Sequence, residues 1–303
     1  MKKAANRLAV ATVAVALLAA FALYIRDSRP DPQRQPFAAA SSNECDLSIV
    51  PRYGTGFRYC TFSDEFGGRR LDTSKWLAQK TSDSGYHSGA ECFVDTANNV
   101  SVSGGMLNLT VQQEAAPFAC AGPGGGYYTQ YTSGSVSTWR RFAQTYGRFE
   151  IRARFPESQT AGLQSALWLY PQELTYGPWP HSGEIDIAEA YSRHPDRVIP
   201  YLHYTQPGPD PSATNTSCLI DDVSEFHTYA ADWTPTSITI TYDGATCLVH
   251  SWNPAAPLKK PAPFDQPFIV VLTQALGIGE NTFGPASTPL PATTQVDYVR
   301  VWS

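Results

Sequence analysis

The sequence predicts an all-β fold, arranged as a two-sheet antiparallel β-sandwich. Three observations support this prediction. Several short segments alternate apolar and polar residues with the period of two that is typical of strands. The 24 Pro and 22 Gly among 303 residues supply many turns. No amphipathic helical pattern longer than about ten residues follows residue 42.

The N-terminal residues 1–25 have the pattern of an export segment. An apolar, uncharged run over residues 8–25 follows three basic residues, which are Lys2, Lys3 and Arg7. Two outcomes remain open: cleavage after the small-x-small triplet at 20–22, or retention as a membrane anchor. In either case the rest of the chain is expected outside the cytoplasm, either secreted or held at the cell envelope.

The segments after the leader predict one further domain. Residues 26–42 are rich in Pro, Ala and Gln and predict a linker, and residues 43–303 form one catalytic-size domain. Its candidate strands, in order along the chain, lie at 107–112, 149–155, 237–242, 246–249, 268–272 and 296–302. Asp243-Gly244 between the third and fourth of these predicts a hairpin turn.

The six cysteines all follow the export segment, which favours disulfides formed in an oxidising compartment. Six cysteines allow fifteen pairings. Proximity along the chain favours Cys45–Cys60, Cys92–Cys120 and Cys218–Cys247. A zinc site is the alternative, but the sequence has no C-x-x-C pair or Cys/His cluster to support it.

The most informative segment is EIDIAE, which places Glu184, Asp186 and Glu189 on a candidate strand. Side chains alternate along a strand, so Glu184 and Asp186 share a face, whereas Glu189 would lie on the opposite one. One extra residue near Ile187-Ala188, a β-bulge, would return Glu189 to the same face. Solvated surface charge and a structural network of acids are the alternative interpretations.

A shared acidic face has a chemical consequence. Repulsion between like charges raises the pKa of at least one carboxyl group, so that one acid keeps its proton near neutral pH. A protonated acid beside an ionised carboxylate is the pair that cleaves a glycosidic bond. A close pair, about 5–5.5 Å apart, would give retention of anomeric configuration, and this is the arrangement that we predict.

The composition limits the ligands. Charged residues make up 16% of the chain and the net charge is −5, which argues against a nucleic-acid partner because phosphates require a basic surface. The Gly-rich stretch at 122–126 lacks the Lys-Ser/Thr ending of a phosphate-binding loop, so nucleotide binding is not expected. This composition suits a neutral ligand such as a polysaccharide.

The chain resembles glycoside hydrolase family 16, in its laminarinase-like branch, over about residues 62–302. The matching strings are FSDEF, LDTSKW, NVSVSGGML, YTSG, YGRFEIRARFP, GLQSALWLYP, WPHSGEIDIAEAY, FHTYAADWTP, PFDQPF and QVDYVRVW. The resemblance implies a concanavalin A-like jelly roll with a concave substrate cleft. The E-x-D-x-x-E spacing is similar to that of the bulged branch of this family, which includes laminarinases, agarases and carrageenases.

The resemblance also implies residue roles. Glu184 corresponds to the nucleophile, Asp186 to the assisting acid and Glu189 to the acid/base. Four further residues match cleft positions and are expected to contact substrate: Trp179, Trp168, His203 and Gln274. Core positions remain the alternative for Trp168 and His203, and a contact role for Glu91 is doubtful because its neighbours differ from those of the family.

Many members of the family hold a structural Ca²⁺ away from the cleft. The matching positions here are Glu65 and Gly105, through backbone carbonyls, and Asp297, through its carboxylate; such oxygen ligands suit Ca²⁺. An ordinary charge at a strand edge is the alternative for Asp297. No cofactor is expected for catalysis.

The resemblance favours an exported, retaining endo-β-glucanase that acts as a monomer on β-1,3-glucan. Two alternatives remain: a transglycosylase that remodels a cell-envelope glycan, and a non-catalytic lectin-like domain, since jelly rolls host both enzymes and binding modules. A broken acidic trio would identify the lectin, but all three acids are present.

Overall fold

The computed structural model describes residues 50–52 and 56–303. The predicted export segment, the linker and Cys45 lie outside these residues. Within the described part, no helix has both the length and the apolar character needed to cross a bilayer. The longest α-helix in this part of the chain is the four-residue α1, Thr81–Ser84.

Sixteen strands of the described chain form two sheets. In chain order they are β1 (Cys60–Asp64), β2 (Leu77–Ala78), β3 (Glu91–Phe93), β4 (Val100–Ser103), β5 (Met106–Cys120), β6 (Tyr127–Ser133), β7 (Ser135–Ser137), β8 (Gly147–Arg154), β9 (Leu163–Pro171), β10 (Glu184–Tyr191), β11 (Ile199–His203), β12 (His227–Trp233), β13 (Ile238–Tyr242), β14 (Ala245–His250), β15 (Phe268–Leu276) and β16 (Ala292–Trp302). Two short 3-10 helices lie at Pro211–Ala213 and Gly279–Asn281.

The smaller sheet has six strands in the order β11-β10-β9-β15-β7-β2. The larger sheet follows the order β14-β13-β12-β8-β16-β5-β6-β3, and β1 and β4 pair with β16 and β5. Apolar side chains from both sheets, such as Ile185 and Leu272 from one and Ile151 and Val299 from the other, form a single buried core. The predicted β-sandwich is confirmed.

Most strand pairs are antiparallel as predicted, but β3 and β6 run parallel. β8 is the predicted alternating strand: Phe149 and Ile151 enter the core. On its polar face, Glu150 is nevertheless fully buried. Arg148 lies 3.0 Å from Glu150 Oε2 and the Tyr298 hydroxyl donates to Oε1, so partners from the same sheet replace water.

The predicted hairpin turn at Asp243-Gly244 is confirmed between β13 and β14. Both residues adopt positive φ, 47° for Asp243 and 81° for Gly244, which is the backbone that a two-residue hairpin loop requires. The disulfides Cys92–Cys120 and Cys218–Cys247 are confirmed, with Cα atoms 5.8 and 5.6 Å apart. The third pairing, with Cys45, stays a prediction.

Candidate active site

The acidic segment forms β10, and its pairing with both neighbours is interrupted. Against β9, Asp186 pairs with Trp168 while Ala188 pairs with Leu167, so Ile187 has no partner of its own. Against β11, the register shifts between Asp186 and Glu189. One extra residue in β10 explains both shifts, and this confirms the predicted β-bulge.

The bulge decides which way the carboxylates point. Ile187 and Ala188 are consecutive, yet both are fully buried in the core between the sheets. Glu189 is thereby returned to the outer face of the smaller sheet, beside Glu184 and Asp186. All three acids line one pocket on that face, together with Tyr86, Ser88, Gln164, Ala166, Trp168, His203, Thr273 and Ala275.

Burial raises the pKa of all three carboxyl groups, because removal from water penalises the ionised form. The pKa of Asp186 rises to about 7, and that of Glu189 also rises to about 7. The pKa of Glu184 rises well above its usual value, with the charges of Asp186 and Glu189 adding to the effect of burial. The pocket therefore holds protons near neutral pH. Repulsion was the expected cause of the raised pKa values, but burial is the larger one for Glu184 and Glu189.

His203 lies at the end of β11, opposite Glu184 in the strand register. Its Nε2 atom is 3.1 Å from Asp186 Oδ2, and its ring packs 5.4 Å from the ring of Trp179. Burial lowers the pKa of His203 to about 4. The imidazole is therefore neutral at pH 7 and can act as a hydrogen-bond partner or a ligand without adding positive charge.

Glu189 has a different environment from the other two acids. The Tyr191 hydroxyl donates to Glu189 Oε1 at 2.7 Å, and Gln164 Nε2 donates to the same oxygen at 3.0 Å. Ser88 Oγ in turn donates to Gln164 Oε1 at 3.2 Å. Both donors lower the pKa of Glu189 and oppose the effect of burial. They therefore hold this carboxylate in one position and set its proton affinity.

Comparison with known proteins identifies the family. Residues 59–303 match the sequence model of the β-porphyranase A–D domain of glycoside hydrolase family 16. The chain belongs to glycoside hydrolase family 16. As in the bulged branch of family 16, its E-x-D-x-x-E segment presents all three acids on one face.

Three relatives illustrate the likeness. The glucan endo-1,3-beta-glucosidase A1 of Niallia circulans is 32% identical over 264 residues, which are 80% of this chain and 37% of that protein. The beta-glucanase of Rhodothermus marinus is 34% identical over 223 residues, covering 67% of this chain and 70% of that protein. The crystal structure of the laminarinase from the same organism superposes with a TM-score of 0.67 at 31% identity, covering 80% of this chain and 96% of that one.

The two tryptophans predicted from the family 16 pattern both lie close to the acids. Trp168, on β9, is 3% exposed and lines the pocket, where its indole donates to Thr273 Oγ1 at 3.2 Å. It is therefore both a buried residue and part of the pocket wall. Trp179 packs against His203 beside the pocket. Contact with substrate stays a prediction for both.

Gln274 does not lie in the pocket, contrary to the expectation. Its neighbours Thr273 and Ala275 on β15 line the pocket, so the alternation of the strand directs Gln274 to the inner face. There its Oε1 accepts from Ser165 and Thr294 at 2.8 and 2.7 Å, and the residue is fully buried. Gln274 links the two sheets instead of meeting a sugar.

Glu91 supports the pocket from behind. This buried carboxylate accepts backbone N–H groups from Ser88, Gly89 and Leu276, at 2.9 to 3.2 Å. It thereby ties the loop that carries Tyr86 and Ser88 to the end of β15. The structure gives Glu91 a positioning role, which agrees with the doubt about direct contact.

Calcium binding at Glu65, Gly105 and Asp297 stays a prediction, and two of these residues have side chains in ion pairs. Asp297, the expected carboxylate ligand, has Oδ2 at 2.5 Å from Arg152 Nη1. The side chain of Glu65 pairs with Arg300 at 2.8 Å. A cation bound through Asp297 Oδ2 would have to displace the guanidinium group of Arg152. Gly105 lies in the turn between β4 and β5 with φ 74°.

The two residues that donate to Glu189 could have been found from the sequence. Gln164 lies four residues before Trp168 on β9, and Tyr191 lies two residues after Glu189 on β10, so both share the cleft face by simple alternation. Tyr86 and Ser88 could not be found in this way. They lie in a loop about 100 residues before the acids, and only the tertiary fold brings them to the pocket.

We expect the Tyr191→Phe variant to shift the alkaline limb of the pH–activity profile to higher pH. The phenol donates to the ionised form of Glu189, so its loss raises the pKa of this acid. A hydrogen bond to a charged group is worth about 1.5–3 kcal/mol, which corresponds to a shift of about one pH unit or more. The measurement is kcat/KM against pH on a soluble polymer.

Tyr298→Phe is the matched control, because Tyr298 donates to the buried Glu150 in the other sheet. It should leave the pH profile in place even if it lowers the thermal stability. An alkaline limb that moves to lower pH in Tyr191→Phe, or that stays unchanged, would contradict the role given to Tyr191.

Proposed function

We propose that this chain is an exported, retaining endo-β-glucanase that hydrolyses internal linkages of β-1,3-glucan. The observation that carries the proposal is the bulge in β10, which brings Glu184, Asp186 and Glu189 to one pocket. The relatives named as endo-1,3-beta-glucosidase and laminarinase support the same substrate. The two disulfides support export, because such bonds persist in oxidising compartments.

In the first step, a carboxylate oxygen of Glu184 attacks the anomeric carbon while the bond to the leaving oxygen breaks. Glu189 gives its proton to that oxygen, so the leaving sugar departs with a neutral hydroxyl group. Glu189 suits this role because burial raises its pKa to about 7, which keeps much of it protonated at neutral pH.

In the second step, ionised Glu189 takes a proton from water, and the water oxygen attacks the anomeric carbon. The ester bond to Glu184 breaks, and Glu189 regains its proton. Two inversions at one carbon give net retention. Catalysis by these three acids needs no cofactor.

Asp186 helps to keep the nucleophile ionised. Glu184 must be ionised to attack the anomeric carbon, although burial raises its pKa. Glu184 and Asp186 are coupled acids, and their protons belong to the pair. When the shared proton lies on Asp186, this residue donates to Glu184 and leaves it ionised. Asp186 thus serves as the proton store that keeps Glu184 nucleophilic.

The charge of the pocket favours a neutral glycan over a charged one. Three of the eleven described residues that line the pocket are acids, and none of the eleven is Lys or Arg. A sulfated or carboxylated sugar would meet like charge there with no cation to neutralise it. Glucan hydroxyl groups can instead form hydrogen bonds with Ser88, Gln164 and Thr273. The flat faces of the sugar rings can pack against Trp168 and Tyr86.

The test is a comparison of substrates with the full-length protein. We expect reducing ends to appear rapidly from laminarin, more slowly from mixed-linkage lichenan, and not from porphyran, a sulfated galactan. NMR spectra of the first products should show the β-anomer, which later equilibrates with the α-anomer. Cleavage of porphyran with no action on laminarin would contradict the substrate. A first product in the α-form would contradict retention, and binding of laminarin without cleavage would indicate a lectin.

A further inference from the structure

Glu184, Asp186 and His203 form a cluster with the geometry of a metal site. One ligand-type atom from each residue lies within 4.8 Å of those from the other two. His203 Nε2 and Asp186 Oδ2 are 3.1 Å apart, a separation that two ligands of one tetrahedral ion can adopt. Among the described residues, this is the one group of three or more His, Cys, Asp or Glu side chains with such spacing.

One carboxylate oxygen in this cluster, Glu184 Oε2, has no hydrogen bond, and Asp186 Oδ2 has only the ring nitrogen of His203 beside it at 3.1 Å. Glu184 Oε2 and Asp186 Oδ2 are both buried, and their residues are 4% and 3% exposed. Buried carboxylate oxygens without hydrogen bonds are costly and favour a positive partner. Both residues line the pocket, so a small cation can reach them from solvent.

The donor set selects among cations. One imidazole nitrogen and two carboxylate oxygens match the mixed nitrogen and oxygen ligands of zinc sites with three protein ligands and one open position. Ca²⁺ and Mg²⁺ prefer oxygen ligands in larger number or in strict octahedral geometry, which this cluster does not supply. The open position would be taken by water.

We propose that Glu184, Asp186 and His203 bind one Zn²⁺ ion, and that this ion inhibits the enzyme in competition with the polysaccharide. The same Glu184 carboxylate is needed for attack on the anomeric carbon, so ion and sugar exclude each other. The binding of zinc does not depend on the proposed function, whereas the inhibition rests on it.

In the first experiment the full-length protein is titrated with Zn²⁺ alone and binding is measured by calorimetry. In the second, laminarin cleavage is measured at several concentrations of zinc and of laminarin. We expect one ion per chain, an increase of the apparent KM with unchanged kcat, and no comparable effect from Ca²⁺ or Mg²⁺. Chelation should restore activity. Inhibition that lowers kcat and leaves KM unchanged would overturn the proposal.

The variants His203→Gln and Asp186→Asn each remove one ligand and should weaken zinc binding by at least about 100-fold, since even outer partners of metal ligands are worth about 10–100-fold. His227→Gln is the matched control, because His227 also contacts a carboxylate, Asp243, but lies outside the pocket. Zinc affinity that stays unchanged in both ligand variants would overturn the site. Zinc binding lost in both variants, in a protein that cleaves no polymer, would confirm the site and refute the proposed function.

Discussion

Replacing Glu184 with alanine is expected to lower kcat on laminarin by about four orders of magnitude or more, which is the scale seen when a catalytic nucleophile is removed. No other pocket carboxylate can take its place, because Asp186 and Glu189 are held by their own contacts on β10 and with His203, Tyr191 and Gln164. The measurement is the release of reducing ends, with thermal unfolding as the check that the variant is folded.

A second measurement on the same variant separates loss of the nucleophile from general damage. With an activated aryl β-glucoside of laminari-oligosaccharides and added azide, the cavity left by Glu184→Ala should admit the small anion. Azide then attacks from the side that Glu184 occupied and yields the α-glycosyl azide. The Glu189→Ala variant should instead yield the β-azide, because its glycosyl-enzyme still forms on Glu184. The opposite pair of products would exchange the two roles.

The bulge in β10 could be predicted from the sequence because the segment has strand-forming residues but an acidic spacing that a regular strand does not fit. Ile185 and Ile187 indicate a strand, but Glu189 lies five positions after Glu184, and a regular strand would place the two on opposite faces. A single inserted residue reconciles both facts, and the register with β9 and β11 contains it. Local alternation therefore sufficed for the orientation of all three acids.

The position of Gln274 could not be inferred in the same way. The resemblance to a cleft asparagine placed Gln274 in the pocket. All nine residues of β15 are buried, so burial does not distinguish the side chains that face the pocket from those that face the other sheet. Its partners Ser165 and Thr294 come from distant parts of the chain. The burial of Glu150 could not be inferred either, because one of its partners, Tyr298, comes from β16 and lies 148 residues further along the chain.

The pKa values of the three acids depend more on how deeply each carboxyl group is buried than on the distances between the groups. Sequence shows that three carboxylates are near one another, which gives repulsion, but it does not show how far each lies from water. Burial is the larger cause of the raised pKa of Glu184 and Glu189. Part of this burial comes from the loop with Tyr86 and Ser88, which Glu91 fixes in place.

Replacing Glu189 with glutamine should lower kcat/KM on laminarin by about 10²–10⁴-fold, the usual value of general acid–base catalysis. A sugar leaving group needs a proton as the bond to it breaks, and glutamine cannot supply one. A dinitrophenyl glycoside has a leaving group that departs as an anion, so its first step should be nearly unaffected. The second step still needs a base, and the glycosyl-enzyme on Glu184 should therefore accumulate.

Three measurements on Glu189→Gln follow from this reasoning. Rapid mixing with the dinitrophenyl glycoside should show a burst of phenolate, and mass spectrometry should find the glycosyl group attached to the protein. Wild-type activity on polymer should fall above about pH 7, because the acid form of Glu189 is lost there, whereas the burst rate of the variant should lack this alkaline limb. Equal losses on polymer and on activated glycoside would show that Glu189 supports the fold of the pocket and does not transfer the proton.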